Sequence, residues 1–169
     1  MDKSRYEHII HPFPPLYDAD SKILILGSLP SVKSREQMFF YGHPKNRFWK
    51  VISAICQEEL PVTIEEKKKM LLRNHIALWD TIYSCDIIGS SDSSIRNVVP
   101  SDLGQIVRES KIQHIFCNGK TSGKYFQKFQ QNTLGMEAVV LPSTSPANAA
   151  FSLERLISIW QDQIGDIVE

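Results

Sequence analysis

An uninterrupted run of apolar residues, Ile23-Leu-Ile-Leu-Gly27, is the feature that most constrains how this chain can fold. Successive side chains of a strand face opposite sides of a sheet, so a strand that is apolar at every position must be buried on both faces. The run ends in Gly-Ser-Leu-Pro, which indicates a loop at its carboxyl end. The segment is therefore typical of a parallel sheet that helices cover on both sides.

Strands and helices are predicted to alternate along the rest of the chain. Further strands are expected at residues 75 to 82, 112 to 117 and 138 to 141. Helices are expected at residues 44 or 45 to 55, at 63 to 73, at 101 or 102 to 108, from the end of the third strand to 130, and from 152 onward. The first twenty residues, which carry three prolines, are expected to be an extended lead-in. The alternation predicts one α/β domain of residues 1 to 169, a three-layer α/β/α fold with a central four-stranded parallel sheet. In such sheets ligands bind beyond the carboxyl ends of the strands.

Charge is balanced, with 19 Lys and Arg against 19 Asp and Glu. A chain without a basic excess is not typical of a strong nonspecific nucleic-acid binder. Bases nevertheless gather at residues 33 to 50 and 111 to 128, so a phosphate-binding face and an ordinary solvated surface both stay open. Neither a signal segment nor eighteen consecutive apolar residues occur, which predicts a cytoplasmic protein that does not interact with membranes.

Metal and cofactor sites have no support in the sequence. The three cysteines are far apart, and the five histidines are scattered, except for His8 and His11 in the lead-in. Asn118-Gly-Lys-Thr121 resembles the end of a phosphate-binding loop, but His114 stands where the first glycine of that loop is required. We therefore expect no metal and no cofactor.

Aromatic and basic residues are interleaved between Phe39 and Lys50. Rings beside bases, near a loop of small residues, suit a protein that stacks a planar heterocycle and holds its phosphates. Phe48 and Trp49 fit the buried face of the predicted helix and are expected in the core. Tyr41 precedes Gly42 in a loop and is harder to explain as a core residue.

Three segments together resemble the uracil-DNA glycosylase superfamily. They are Gly27-Ser-Leu-Pro-Ser31, Tyr41-Gly-His-Pro-Lys-Asn-Arg-Phe-Trp49 and Leu141-Pro-Ser-Thr-Ser-Pro-Ala-Asn148. The second also looks like the mismatch-specific uracil/thymine branch. The hypoxanthine-DNA glycosylase branch is the most similar, since it also matches Leu78-Trp-Asp80, Cys85, Asp92-Ser-Ser-Ile-Arg96 and Val99-Pro100. The likeness covers roughly residues 23 to 163.

This resemblance implies base-excision repair of DNA, in which a deaminated base is flipped out and its N-glycosidic bond is hydrolysed. The most similar branch implies that this base is hypoxanthine. Leu29 stands where mismatch-specific relatives carry an Asn that positions the attacking water. The side chain of Leu29 can neither donate nor accept a hydrogen bond. The catalytic Asn of the hypoxanthine branch maps onto Asn46, which is expected to position water through its amide oxygen. A structural role for Asn46 as a helix cap remains open.

The resemblance also assigns the remaining site residues. The base is expected to contact Tyr41, which stacks on it, together with the backbone of Gly27 and Ser28, His43 and Asp80. Asp80 either accepts the ring N–H of hypoxanthine or only anchors its loop. The DNA is expected to contact Lys45, Arg47, Lys120, Ser143, Thr144, Ser145, Ala147 and Asn148. No lysine occupies a matched position that reaches the sugar, so a monofunctional enzyme without strand cleavage is expected.

Two alternatives remain at this point. One is a glycosylase of the same fold that prefers uracil or mismatches. The other is a noncatalytic nucleic-acid-binding module that kept the fold and lost the chemistry.

Overall fold

The computed structural model describes residues 5 to 168. Its central element is a four-stranded parallel sheet in the order β3-β2-β6-β7, formed by β2 (Ile23–Gly27), β3 (Ile76–Asp80), β6 (His114–Asn118) and β7 (Ala138–Leu141). Every residue of β2 is buried, as its unbroken apolar sequence requires. The predicted fold class is confirmed.

A second sheet was not predicted from the sequence. Strands β1 (Glu7–Ile10), β4 (Ile82–Ile87) and β5 (Arg96–Pro100) pair antiparallel in the order β1-β4-β5. The strand expected at residues 75 to 82 is divided, because the amides of Thr81 and Ile82 donate to the carbonyls of Gly27 and Ser28, and the chain then enters the second sheet.

The lead-in also differs from the expectation. Residues 5 to 20 contain β1 and bury His11 and Phe13, whereas the first four residues of the lead-in lie outside the described part of the chain.

Helices pack against the sheets. They are α1 (Val32–Gln37), α2 (Phe48–Cys56), α3 (Ile64–Arg73), α4 (Gly104–Arg108), α5 (Lys120–Phe129), α6 (Gln131–Leu134) and α7 (Leu153–Val168). Helix α2 begins later than expected from its sequence. Residues 43 to 46 form a turn, in which the Asn46 amide donates to the carbonyl of His43, and the Arg47 amide donates to Thr144. These bonds place residues 41 to 47 beside the sheet before the helix starts.

Two apolar clusters hold the fold together. The larger one joins both faces of β2 to α2 and α7, where the rings of Phe48 and Trp160 meet edge to face. The smaller one contains Ile82, Cys85 and Tyr125 and lies against the second sheet. Among the described helices, none has the length and apolar character needed to cross a membrane.

Candidate active site

A cavity of about 390 Å³ lies at the carboxyl ends of β2, β3 and β6, where a parallel sheet is expected to bind its ligand. The segment before α2, the loops after β2 and β4 and the loop after β7 form further parts of its walls. The predicted site residues that line it are Gly27, Ser28, Tyr41, Asn46, Asp80, Lys120, Ser143, Thr144, Ser145 and Ala147. Those that do not line it are His43, Lys45, Arg47 and Asn148.

Asn46 lines the cavity directly before α2. Its Oδ1 accepts hydrogen bonds from the Phe48 amide at 2.9 Å and from Thr144 Oγ1 at 2.8 Å. The first bond satisfies the first amide of α2, although Arg47 and not Asn46 occupies the N-cap position. Asn46 therefore supports the start of the helix in a role close to the one left open by the sequence. An amide oxygen has two lone pairs, and here both have donors. Asn46 Nδ2 donates no hydrogen bond to any of the described residues. The NH₂ group, and not the expected oxygen, is therefore left for a ligand or water.

Thr144 fixes the orientation of Asn46. It is fully buried, and its hydroxyl accepts a hydrogen bond from Asn118 Nδ2 at 3.0 Å while donating to Asn46. The Thr144 amide donates to Asn118 Oδ1, also at 3.0 Å. Sequence reasoning did not include Asn118 in the site, although its position at the end of a parallel strand was a usable signal.

Tyr41 presents a rigid aromatic surface. Its ring stacks on Phe48 with centroids 4.0 Å apart and planes inclined by 14°. The residue has a φ of 52°, a strained value for a bulky side chain, and its carbonyl accepts a hydrogen bond from Trp49 Nε1. Burial, followed by the negative charge of Asp80, raises the pKa of the Tyr41 hydroxyl far above its usual value. The ring is therefore uncharged at any physiological pH.

Gly27 and Asp80 form the floor of the cavity. A Cβ atom at position 27 would lie 2.5 Å from Asp80 Oδ1 and 3.3 Å from the Tyr41 hydroxyl. The Asp80 carboxylate and the Tyr41 hydroxyl thus close directly over the end of β2, and only glycine leaves room for both.

His11 lies behind Asp80. Its Nε2 is 2.6 Å from Asp80 Oδ2, and its side chain is fully shielded from solvent. Sequence reasoning left His11 in the lead-in, because the contact joins residues that are 69 positions apart and depends on the unpredicted second sheet. The only local signal was the proximity of two histidines.

Arg47 is engaged with the protein itself. Its guanidinium donates to the carbonyls of Thr144, Ser145, Asn148 and Phe151. These bonds replace the phosphate contact expected from the sequence, since they use most of the donors of the side chain. Arg47 consequently anchors the loop of residues 143 to 151 to the start of α2.

The remaining residues predicted to contact the base or the DNA are Asn148, His43, Lys45 and Lys120. Asn148 Nδ2 donates to the Ser143 carbonyl at 3.0 Å, so it braces the loop from within. His43 Nδ1 accepts from the Lys45 amide at 3.1 Å, outside the cavity. Lys45 and Lys120 are exposed, and of these two Lys120 lines the cavity.

Comparisons with known proteins show the family to which the chain is similar. The family model described as the uracil DNA glycosylase superfamily matches residues 14 to 163. A hypoxanthine DNA glycosylase of Methanosarcina acetivorans is 37% identical over 85% of this chain and 90% of its own length. A hypoxanthine DNA glycosylase of Methanosarcina barkeri is 33% identical over 89% of this chain and 94% of its own.

A solved structure leads to the same family. The solution NMR structure of a candidate uracil DNA glycosylase from Methanosarcina acetivorans superposes with a TM-score of 0.80 at 34% identity, covering 93% of this chain and 97% of that one. The resemblance stated from the sequence is confirmed. This chain belongs to the uracil DNA glycosylase superfamily.

Proposed function

We propose that this protein removes hypoxanthine from deoxyinosine in DNA by hydrolysing the N-glycosidic bond. The observation that carries the proposal is one cavity lined by the aromatic ring of Tyr41, the carboxylate of Asp80 and the amide of Asn46. Both relatives described as hypoxanthine DNA glycosylases are similar along most of this chain, which supports the same substrate class.

The flipped base is held by its plane and by its edge. We propose that it stacks on Tyr41, whose other contacts fix the ring in place. Asp80 Oδ1 accepts the hydrogen of N1, and backbone amides of Gly27 and Ser28 donate to the exocyclic oxygen. Adenine carries a lone pair at N1, which a carboxylate repels, so this arrangement separates the deaminated base from its parent.

The chemistry requires a held water and a stabilised leaving base. Water oxygen bonds to C1′ as the bond from C1′ to N9 breaks, and the bonding electrons leave with the base. The attacking water loses one proton to solvent, and the departed base takes up a proton from solvent, so that the products are the sugar C1′ hydroxyl and neutral hypoxanthine. The Asn46 NH₂ group holds the water through one of its lone pairs, and the other lone pair is directed at C1′. Donors at the base edge stabilise the negative charge that develops there. Leu29, which packs against the smaller apolar cluster, supplies no polar group to this step.

The DNA is held beside the cavity. We propose that Ser143 and Ser145 contact the phosphate next to the flipped nucleotide, that Lys120 contacts a further phosphate, and that Ala147 enters the gap. Thr144 is buried, and its hydroxyl and amide donate to Asn46 and Asn118 instead of to the phosphate expected from the sequence. Residues 147 to 149, Ala-Asn-Ala, carry no bulky side chain to act as a wedge, so a poorly paired inosine in a duplex is the substrate that is easiest to extrude. Hydrolysis without strand cleavage, the absence of a cofactor and a cytoplasmic location stay predictions.

Duplexes that carry one inosine, uracil, xanthine or ethenoadenine test the proposal. Base release is scored on gels as abasic sites that alkali cleaves. We expect inosine to be processed fastest, and cleavage before alkali treatment to be absent. Faster release of uracil would instead support the uracil-preferring alternative, and no release from any duplex would support the noncatalytic binding module.

A further inference from the structure

We infer that His11 is a positioning residue that determines specificity. It holds the Asp80 carboxylate in place, so that the carboxylate accepts a hydrogen bond from a base whose ring N–H lies beside a carbonyl. This inference rests on the proposed function, because it assigns a partner to the residue that contacts the edge of the base. No step of the glycosylase chemistry described above uses His11.

His11 is buried in an aromatic cage beside Asp80. The imidazole is enclosed by aromatic rings, with centroids 4.1 Å away at Trp79, 4.7 Å at Phe13 and 6.3 Å at Phe40. Its Nδ1 is buried and has no hydrogen-bond partner within the described part of the chain. An unpaired N–H in such a cage is unfavourable, so the tautomer that fits carries its hydrogen on Nε2. In that tautomer His11 donates to Asp80 Oδ2.

Asp80 can accept more hydrogen bonds than the one from His11. A carboxylate has about four lone-pair positions on its two oxygens. Within residues 5 to 168, His11 is the one side chain that hydrogen bonds to Asp80. Asp80 lines the cavity, and its Oδ1 lies over Gly27, on the side away from His11. The pair therefore leaves a fixed acceptor at the cavity floor.

The chemical class of ligand follows from this acceptor. A fixed carboxylate oxygen favours bases whose ring nitrogen carries a hydrogen, as in hypoxanthine, and disfavours those with a lone pair there, as in adenine. Without His11 the carboxylate loses its hydrogen bond and its fixed direction. Recognition of the base then weakens.

Two amide variants test the assignment as a matched pair. The side-chain nitrogen of Gln reaches the position of His Nε2, whereas that of Asn reaches only the position of Nδ1. Both place a neutral amide in the same aromatic cage, so their effects on folding are similar. We expect His11→Asn to lower the single-turnover rate of hypoxanthine release by about tenfold to a hundredfold, the size of a lost hydrogen bond to a charged group. We expect His11→Gln to keep that rate within about threefold of the wild type.

Two further measurements separate an effect on base recognition from an effect on DNA binding. Binding to a duplex that holds a tetrahydrofuran abasic analogue, which has no base to recognise, is expected to stay the same in both variants. In a double-mutant cycle with Asp80→Asn, the effect of His11→Asn is expected to disappear, because His11 acts through Asp80. Equal release rates in the two amide variants, or additive effects in the cycle, overturn the role of His11.

Failure of the underlying function gives a different result. In that case the wild-type protein itself leaves the inosine duplex intact, and the inference about His11 falls with it. If the variants prove too unstable to assay, nitrogen-15 spectra of the wild-type protein decide, since a hydrogen on His11 Nδ1 instead of Nε2 contradicts the proposed donor.

Discussion

Gly27 is the residue at which β2 reaches the floor of the cavity. Gly27→Ala is expected to reduce base release by at least about tenfold, because its Cβ would meet Asp80 Oδ1 at 2.5 Å and displace the carboxylate. Gly104→Ala is a suitable control, since its Cβ would meet the end of the Arg108 side chain, which has room to move. Single-turnover assays compare the two variants. Full activity of the Gly27 variant would show that the carboxylate is not needed in that position.

Thr144 is predicted to control activity through Asn46. Thr144→Val keeps the shape of the side chain but removes the hydroxyl that joins Asn118 to Asn46. We expect the free energy of unfolding to fall by about 1–3 kcal/mol and base release to slow by at least about tenfold. Thr144→Ser retains the hydroxyl and is expected to behave nearly like the wild type. Urea denaturation measures the change in stability, and single-turnover assays measure base release. Equal activity of the two variants would argue against control of Asn46 by the Thr144 hydroxyl.

At the level of structural elements, the loop of residues 143 to 151 depends on α2 through Arg47. Sequence alone assigned Arg47 and Lys120 the same role, contact with phosphate. The structure separates them, because the Arg47 guanidinium is bonded to four carbonyls while Lys120 is exposed at the cavity.

Salt dependence of DNA binding tests this separation. Lys120→Met is expected to lower the slope of log Kd against log salt concentration by about one, since one phosphate contact is lost. Arg47→Met is expected to weaken binding without changing that slope, because it disorders the loop instead of removing a phosphate contact. Fluorescence anisotropy over a series of salt concentrations measures both. A reduced slope for the Arg47 variant would restore its expected role at the phosphate.

For the whole molecule, local sequence patterns were sufficient to predict the parallel sheet and its edge. The run at β2 is apolar at every position, and β7 has the predicted bounds. Because parallel strands share one carboxyl edge, Gly27, Asp80 and Asn118 had to meet there.

What the sequence did not predict depends on contacts between distant residues. Strand β1 has four residues and pairs with β4, which is far away along the chain. The approach of His11 to Asp80 follows from that pairing. The bond from Thr144 to Asn46 Oδ1 and the bonds that occupy Arg47 involve a loop about a hundred positions later, and no local pattern reports such bonds.

We propose that Asn46, in a cavity beside Tyr41 and Asp80, supports hydrolysis of the bond between hypoxanthine and deoxyribose. The most direct test measures free hypoxanthine, by mass spectrometry, after single-turnover incubation of an inosine duplex with the wild type and with Asn46→Ala. Duplex binding and thermal unfolding of both proteins control for the lost helix cap. We expect the wild type to release the base at least about a hundredfold faster than a variant that still binds the duplex. Equal release by the two proteins, or none by the wild type, would contradict the claim.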